Sequence, residues 1–388
     1  MDKKSYTIIG LMSGTSLDGV DACLVNINEK NNGIEEKVEY KLIDYILYPY
    51  DDEFKDKLRK NLSDDTAKLS EICSLDFELC YKFKEAIDKL LEKNNLKYCD
   101  IDYIASHGQT IWHNPHGENG LVPSTLQIGN GQVISSLTNI PVVYDFRVSD
   151  VVVGGEGAPL VPMFEYIYFK DNEKNVVLQN IGGMGNLTYI PKKASIDEIL
   201  AFDTGPGNVM IDYFVKKYFN KDYDENGDIA MKGSVILPIL NDLVNDDFIK
   251  KNPPKSTGRE KYSFVNLENI AEKLESNKYD KYDIITTITE ITVYSMVYNY
   301  RSFLKDIDKI IISGGGVHNN YIMNRMREEF PDIVFTLDEC GMNSDAKEAF
   351  AFAVLGYLSI KGLQGNVIKS TGAKEKMVLG SITLARRC

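Results

Sequence analysis

IIGLMSGTSLDGVDACLV, residues 8–25, decides the fold. It reads as a strand over 8–12, a turn of small and polar residues, and a second strand over 20–25, with Asp18-Gly19 as the hairpin signal. Gly14 and Gly19 let backbone N–H groups approach an oxyanion closely. Ser13, Thr15 and Ser16 add hydroxyl donors, and Asp18 is placed to hold a magnesium ion through water. The chemistry this pattern suggests is nucleotide phosphate binding. An ordinary hairpin with a polar tip has the same spacing, so the rest of the chain has to decide.

The pattern recurs from residue 176. VVLQNI is a strand, Gly182, Gly183, Met184, Gly185 and Asn186 form a turn, and LTYI is a second strand. One small-residue hairpin in each half implies an internally duplicated, nucleotide-clamping α/β fold. Between the two hairpins the sequence predicts a third strand over 38–48 and a helix or charged loop over 51–60. A long amphipathic helix follows over about 67–93, with Cys73 and Cys80 read as core residues. A buried strand over 102–106 delivers His107, Gly108, Gln109 and Thr110 at its carboxyl end, where open α/β sheets place ligands.

HGQTIWHNPH, residues 107–116, crowds three of the four histidines together. A sugar-contacting loop, a turn around Trp112 and a metal site are the alternatives, and the spacing lacks the i,i+4 helical pair a metal would favour. DFRVSDVVVGGEGAPLVP, residues 145–162, carries Asp145, Arg147, Asp150 and Glu156 among glycines and prolines that forbid regular structure. It reads as a domain crossover or a substrate loop.

A strand over 198–202 then ends on Asp203, Thr204, Gly205, Pro206, Gly207 and Asn208, ahead of a helix over 209–219. That places Asp203 at a strand end before a helix N-terminus, either as a functional carboxylate or as the helix N-cap. The basic loop NPPKSTGREKYSF, residues 252–264, offers Lys255, Arg259 and Lys261 to an anion or to solvent. A helix over 282–304 and a strand over 309–313 lead into Gly314, Gly315 and Gly316, where bare backbone admits a base or ribose. The last long helix opens at 345 with Glu348 in its first turns, as an active-site carboxylate or a solvated charge.

A chain of 388 residues fits two domains, and 43% hydrophobic with 26% charged residues is a globular composition. The 44 basic and 57 acidic residues leave a net charge of −13. Such a surface repels nucleic acid and anionic lipid, so a phosphate must be drawn by backbone amides, helix ends and a cation. The six cysteines show no C-x-x-C spacing, the start lacks a signal-peptide pattern, and no apolar run approaches the roughly 18 residues of a span. The expectation is a soluble cytoplasmic protein. Without a flexible linker, the two domains are expected to pack across a cleft.

Five segments in order, SGTSLDGVD, HGQTIWH, DFRVSDVVVGGEGAPLVP, FDTGPGN and ISGGGVHN, closely resemble the anhydro-N-acetylmuramic acid kinase family, with KSTGRE and KEAFAFA in the expected places. The resemblance implies a two-domain, actin-like ATPase (ribonuclease-H-like) fold of duplicated mixed sheets. Its first domain would be residues 1–145, with about 365–388 packing back on it, and its second 146–388. It implies a kinase that adds water across the anhydro bridge of the amino sugar and phosphorylates O6 with ATP and magnesium, in cell-wall recycling, as a homodimer. Another small-molecule kinase of the superfamily, for a hexose or acetate, is the alternative, with a non-catalytic actin-like ATP-binding protein behind it.

Carried over by position, Ser13, Gly14, Thr15, Ser16, Leu17, Asp18, Gly19, Val20 and Asp21 match the phosphate segment. Gly182 and Gly183 form the second phosphate turn, and Gly314, Gly315, Gly316 and Asn319 the nucleotide loop. Asp203 matches the catalytic base and Glu348 a second active-site carboxylate, with Asp150 in reserve. His107, Gln109, Thr110, Arg147 and Gly205 fall on the sugar side. The chain departs from the family pattern at Glu156, where the family shows glutamine, and at Met184 and Gly185 in the second turn.

Overall fold

The computed structural model describes residues 4–14, 16–31, 36–63, 65–257 and 261–385. The chain divides into two units, residues 1–168 with 345–388, and residues 169–344. In the first unit, β1 (Ser5–Met12), β2 (Gly19–Asn31) and β3 (Glu36–Pro49) form an antiparallel meander. Helices α1 (Asp52–Lys60) and α2 (Leu69–Lys93) follow, then β4 (Tyr103–Ser106), the hairpin of β5 (Gln109–Asn114) and β6 (Ser124–Ile128), α3 (Gly131–Thr138) and β7 (Val142–Tyr144). Short helices α4 (Val148–Val152) and α5 (Val161–Phe169) complete this part of the chain. β4 lies parallel to β1 and β7 parallel to β4, so the strands run β3-β2-β1-β4-β7 across the sheet.

The second unit repeats this order. Strands β8 (Val176–Ile181), β9 (Met184–Ile190) and β10 (Leu200–Pro206) form the meander, and α6 (Asn208–Phe219), α7 (Leu237–Leu243), α8 (Asp247–Lys250), α9 (Phe264–Ser276) and α10 (Lys281–Phe303) intervene. After them β11 (Lys309–Ser313), α11 (Asn320–Glu329) and β12 (Val334–Thr336) close the sheet, β10-β9-β8-β11-β12, with both late strands parallel. Two sheets with the same meander-then-parallel order are a duplication, as the two hairpins predict.

The chain then returns to the first unit as α12 (Lys347–Ile360), α13 (Ile368–Thr371) and β13 (Ser381–Ile382), which adds antiparallel to β7. The division therefore differs from the expected one at 145/146, falling at 168/169, and the returning segment starts at 345 rather than about 365. The cause is α12, which is apolar all round and buried along nearly its whole length. It lies on β1 so closely that a Cβ at Gly10 would stand 2.0 Å from the Ala349 carbonyl oxygen.

Local chemistry explains the other differences. The stripe of α2 buries Leu75, Leu79, Cys80, Phe83, Ile87 and Leu90, each worth about 1.5–3 kcal/mol for the larger side chains. Its first turn stands in solvent, so Cys73, read as core, is exposed. The segment 145–162 is not wholly irregular, because Arg147 to Val152 complete a helical turn before the glycines stop it. In α10 the β-branched threonines satisfy their hydroxyls on carbonyls one turn back, Thr286 on Tyr282 at 2.9 Å and Thr289 on Ile285 at 2.8 Å. That lets the helix bury them, as its composition requires. Among the described residues no helix is long and apolar enough to cross a membrane.

Candidate active site

The loop between β1 and β2 is fixed from within. Ser13, 1% exposed, donates to Gln109 Oε1 at 2.6 Å and shares a 2.7 Å hydrogen bond with the buried Tyr50 hydroxyl. Leu17 is driven into the core at 3% exposure despite a φ of +59°, and its N–H bonds the Gly14 carbonyl. A leucine held in the left-handed region is strained, and burial of its side chain in the core is what offsets the strain. Val20 is also core, and a Cβ at Gly19 would meet the Tyr48 carbonyl oxygen at 2.2 Å. Those four positions serve the fold. Gly14, Ser16 and Asp18 remain at the surface, and Thr15 lies outside the described residues.

Gly14 has another property. A Cβ there would find only Ser16 Oγ, at 3.8 Å. In the second unit Gly183 has nothing within 4 Å, and Gly182 has contacts only at 3.7 Å. The two turns thus keep bare backbone facing open space, the arrangement an anion cradle needs. Gly314 and Gly316 differ. At Gly314, with φ +84°, a Cβ would stand 2.6 Å from Asn180 Oδ1, and at Gly316 a Cβ would stand 2.3 Å from Ile181 Cγ2. Packing accounts for both, while Gly315 is open except for Asn208 Nδ2 at 3.6 Å. Asn319 caps α11, accepting from the Ile322 N–H.

Asp21 pairs with Met12 at the base of the first hairpin and accepts a 2.5 Å hydrogen bond from the Tyr45 hydroxyl. Burial pushes its carboxyl up to about 6, the Tyr45 bond pulls it down, and the charges of Glu348, Asp345 and Asp18 raise it again. Protonation therefore favours the fold. The stability this group contributes is full below about pH 4 and is lost as pH rises through about 6. Asp21→Asn removes that loss while keeping an acceptor for Tyr45. In urea unfolding the variant is expected to be ~1–3 kcal/mol more stable than the parent at about pH 8, after discounting for solvent screening, and equal to it at about pH 4. Equal stabilities at the higher pH would contradict this electrostatic account.

The sugar-side candidates of the first unit form a relay. His107 is 3% exposed and held neutral, its imidazole depressed to about 3 by burial and then by the Arg147 charge. Its Nδ1–H donates to the Gly108 carbonyl at 2.9 Å, leaving Nε2 to accept from Arg147 Nε at 2.9 Å. Arg147 Nη1 donates to the Gly157 carbonyl at 2.8 Å, and burial lowers the guanidinium to about 10 against the opposing pull of Glu348. His107 and Gln109 are thus interior residues that aim Arg147 and Ser13. Thr110 is half-buried on β5. The histidines disperse: His113 bonds Thr125 Oγ1 at 3.0 Å and His116 lies 3.6 Å from Glu156. Among the described residues no three His, Cys, Asp or Glu side chains gather as metal ligands.

Glu348 stands exposed in the first turn of α12, whereas Lys347 turns inward to Glu165 at 2.5 Å. Asp150 is fully buried. Its Oδ1 accepts from Asn366 and Thr371, each at 2.8 Å, and its Oδ2 from the Gly157 N–H at 2.8 Å. Those bonds tie the 148–157 loop to the C-terminal segment, which is the work of a structural carboxylate.

Asp203 does not end a strand. It lies inside β10 at a bulge, where the pairing with β9 shifts between Asp203 and Gly205. The helix N-cap is Gly207, so the capping alternative for Asp203 falls. A bulge re-aims side chains, and this one is braced from α10. Asn299 Nδ2 donates to the Thr204 carbonyl at 3.0 Å, and Thr292 Oγ1 to the Gly207 carbonyl at 3.0 Å. Gly205, at φ +151°, has room for no side chain because Ser295 Cβ would lie 2.9 Å away, so packing explains its glycine.

Two residues the sequence reading missed hold the carboxylate itself. Thr257 N–H donates to Asp203 Oδ2 at 2.8 Å and Ser256 Oγ at 3.2 Å. The loop expected to offer cations to an anion or to solvent buries one of them, Lys255 at 4% exposure, and pairs Lys261 with Asp246 at 2.5 Å. Arg259 lies outside the described residues.

Two repeats of one mixed sheet, each opening on a hairpin whose turn leaves glycine backbone bare, define an actin-like ATPase fold of the ribonuclease-H-like kind. The family model for anhydro-N-acetylmuramic acid kinase matches residues 6–385, and the chain belongs to that family. A relative of that name from Clostridioides difficile (strain 630) is 45% identical over 380 residues, covering 97% of each chain. Another, from Francisella tularensis subsp. novicida (strain U112), is 42% identical over 377 residues, 96% of this chain and 97% of its own. Among solved structures, component A of the Acidaminococcus fermentans (R)-2-hydroxyglutaryl-CoA dehydratase matches at TM-score 0.44 and 10% identity, over 90% of this chain and 96% of its own. A ROK family glucokinase from Streptomyces griseus matches at 0.39 and 10%, over 90% and 98%. At those scores the fold assignment rests on the strand order itself.

Proposed function

We propose that the protein opens 1,6-anhydro-N-acetylmuramic acid with water and phosphorylates its O6 from ATP, giving N-acetylmuramic acid 6-phosphate for cell-wall recycling in the cytoplasm. The observation that carries the reading is the braced Asp203 carboxylate, one oxygen of which is fixed by Thr257 and Ser256. A sugar kinase that only transfers phosphate needs a base at the acceptor hydroxyl. Opening an acetal bridge needs one at a water instead, as inverting glycosidases use a carboxylate for theirs.

In this mechanism Asp203 takes a proton from water as the water oxygen bonds to C1 and the C1–O6 bond breaks. The electron pair of that bond leaves on O6, which attacks the γ-phosphorus, and ADP departs. Within the first unit, Arg147, aimed by His107, and the exposed Glu348 are the groups offered to the sugar. Each unit offers bare amides of its own to phosphate oxygens, Gly14 in the first and Gly182 and Gly183 in the second, where Gly315 is the open position for the nucleoside. Asp21 and Asp18 suit magnesium, which keeps much of its water and takes one or two carboxylates beside phosphate oxygens. When bound, it neutralises charge on the phosphates. The homodimer implied by the resemblance belongs to the same reading.

The test is direct. Incubated with ATP, the protein should convert the anhydro sugar to the 6-phosphate stoichiometrically with ADP and use free N-acetylmuramic acid poorly. Preference for a hexose or acetate would put the chain with the other kinases of its fold.

A further inference from the structure

Lys255 is a charged residue in an apolar place. Its ammonium lies 5.2–5.6 Å from the ring centres of Phe202, Phe248 and Phe303 and donates to the carbonyls of Phe248 at 3.1 Å and Ile249 at 2.8 Å. An ammonium buried against three aromatic rings and two carbonyl dipoles keeps its charge by cation–π and dipole attraction, and burial still lowers it to about 8. At 4% exposure it offers almost nothing to solvent. Its side chain is anchored to carbonyls of α8, and the backbone so fixed holds Asp203: the Asp203 N–H donates to the Lys255 carbonyl at 3.0 Å, and the next two residues, Ser256 and Thr257, donate to Asp203 Oδ2.

The Asp203 neighbour in β10, Phe202, forms one wall of the ring box, with Phe303 at the end of α10 edge-on to it at 6.1 Å. The same lysine therefore grips the base's strand on one side and the loop over its carboxylate on the other. We propose that Lys255 is a positioning residue for Asp203, fixing the donors at residues 256 and 257 that set the direction of the carboxylate. The inference rests on the reading of Asp203 as the base. A structural role alone predicts a loss of stability; positioning predicts a loss that appears only while Asp203 can act as a base.

Lys255→Met keeps the length of the chain and removes the charge and the donors. The expected result is a folded protein with unchanged KM for ATP and a kcat lower by about 10–100-fold, the scale of a catalytic group displaced by a fraction of an ångström. Combined with Asp203→Asn, it should lower single-turnover rates no further, since a misplaced amide and a placed one are equally without basicity. Multiplicative losses in the double variant, or a parental kcat in folded Lys255→Met, overturn the proposal. If Lys255→Met does not fold, Phe303→Leu opens one wall of the box, and the same cycle with Asp203→Asn decides. If Asp203→Asn alone kept parental turnover, the assignment of the base would fail first, and separately from the role of Lys255.

Discussion

Asp203→Asn is expected to bind ATP as the parent does and to turn over about 10²–10⁴-fold more slowly, the usual contribution of general base catalysis. The amide oxygen can still accept from Thr257 N–H and Ser256 Oγ, so the bulge at Asp203 keeps its donors. Basicity is what disappears. Asp150→Asn makes the contrast. Its carboxylate accepts from three donors in a buried site, and an amide there sets a donor against a donor. That variant should lose ~1–3 kcal/mol of stability and keep its activity wherever it remains folded. Near-parental turnover in Asp203→Asn, together with an inactive but folded Asp150→Asn, would move the base to the 148–157 loop.

Gly14→Val should leave the fold intact and weaken ATP binding by about 10–100-fold, as overpacking costs about 1–3 kcal/mol. The expectation of an intact fold comes from the open space at this position, with nothing nearer its Cβ side than Ser16 Oγ at 3.8 Å. Only a ligand would feel the added isopropyl group. Gly10→Val is the opposite case, since its first carbon would already collide with the Ala349 carbonyl oxygen at 2.0 Å, and the protein should not fold. Unchanged equilibrium binding of ATP by a folded Gly14→Val protein would remove the first hairpin from the phosphate site.

What the sequence made legible follows from how local each signal is. The paired hairpins and the helices with a 3.6-residue stripe, such as Leu69–Lys93, depend on neighbours along the chain and were readable. Asp203 was readable as a candidate but not as a mid-strand residue, because FDTGP has the composition of a turn. Its strand continues to Pro206 because Gly205 and Pro206 still pair with Gly185 and Met184 beyond the bulge, while Asn299, 95 residues later, takes the Thr204 carbonyl. The helix Phe264–Ser276 drew no assignment beside the proline-bounded loop.

Within the site, the glycines carried two meanings that spacing cannot separate. Gly14 and Gly183 face space, while Gly205, Gly314 and Gly316 face side chains from elsewhere in their unit. Likewise His107 and Gln109 looked like ligand contacts and are interior supports, because burial at 3% and 1% is a property of the junction where β4 ends and β5 begins. The Lys255 box was out of reach altogether, since its rings come from Phe202, Phe248 and Phe303.

The central claim is that water opens the bridge at C1 while O6 receives the phosphate, and running the reaction in oxygen-18 water tests it most directly. Product from the first few turnovers, quenched before the anomeric oxygen exchanges with solvent, should carry one label on C1 and none in the transferred phosphate. A product unlabelled at C1, or label found in the phosphate, would contradict the account.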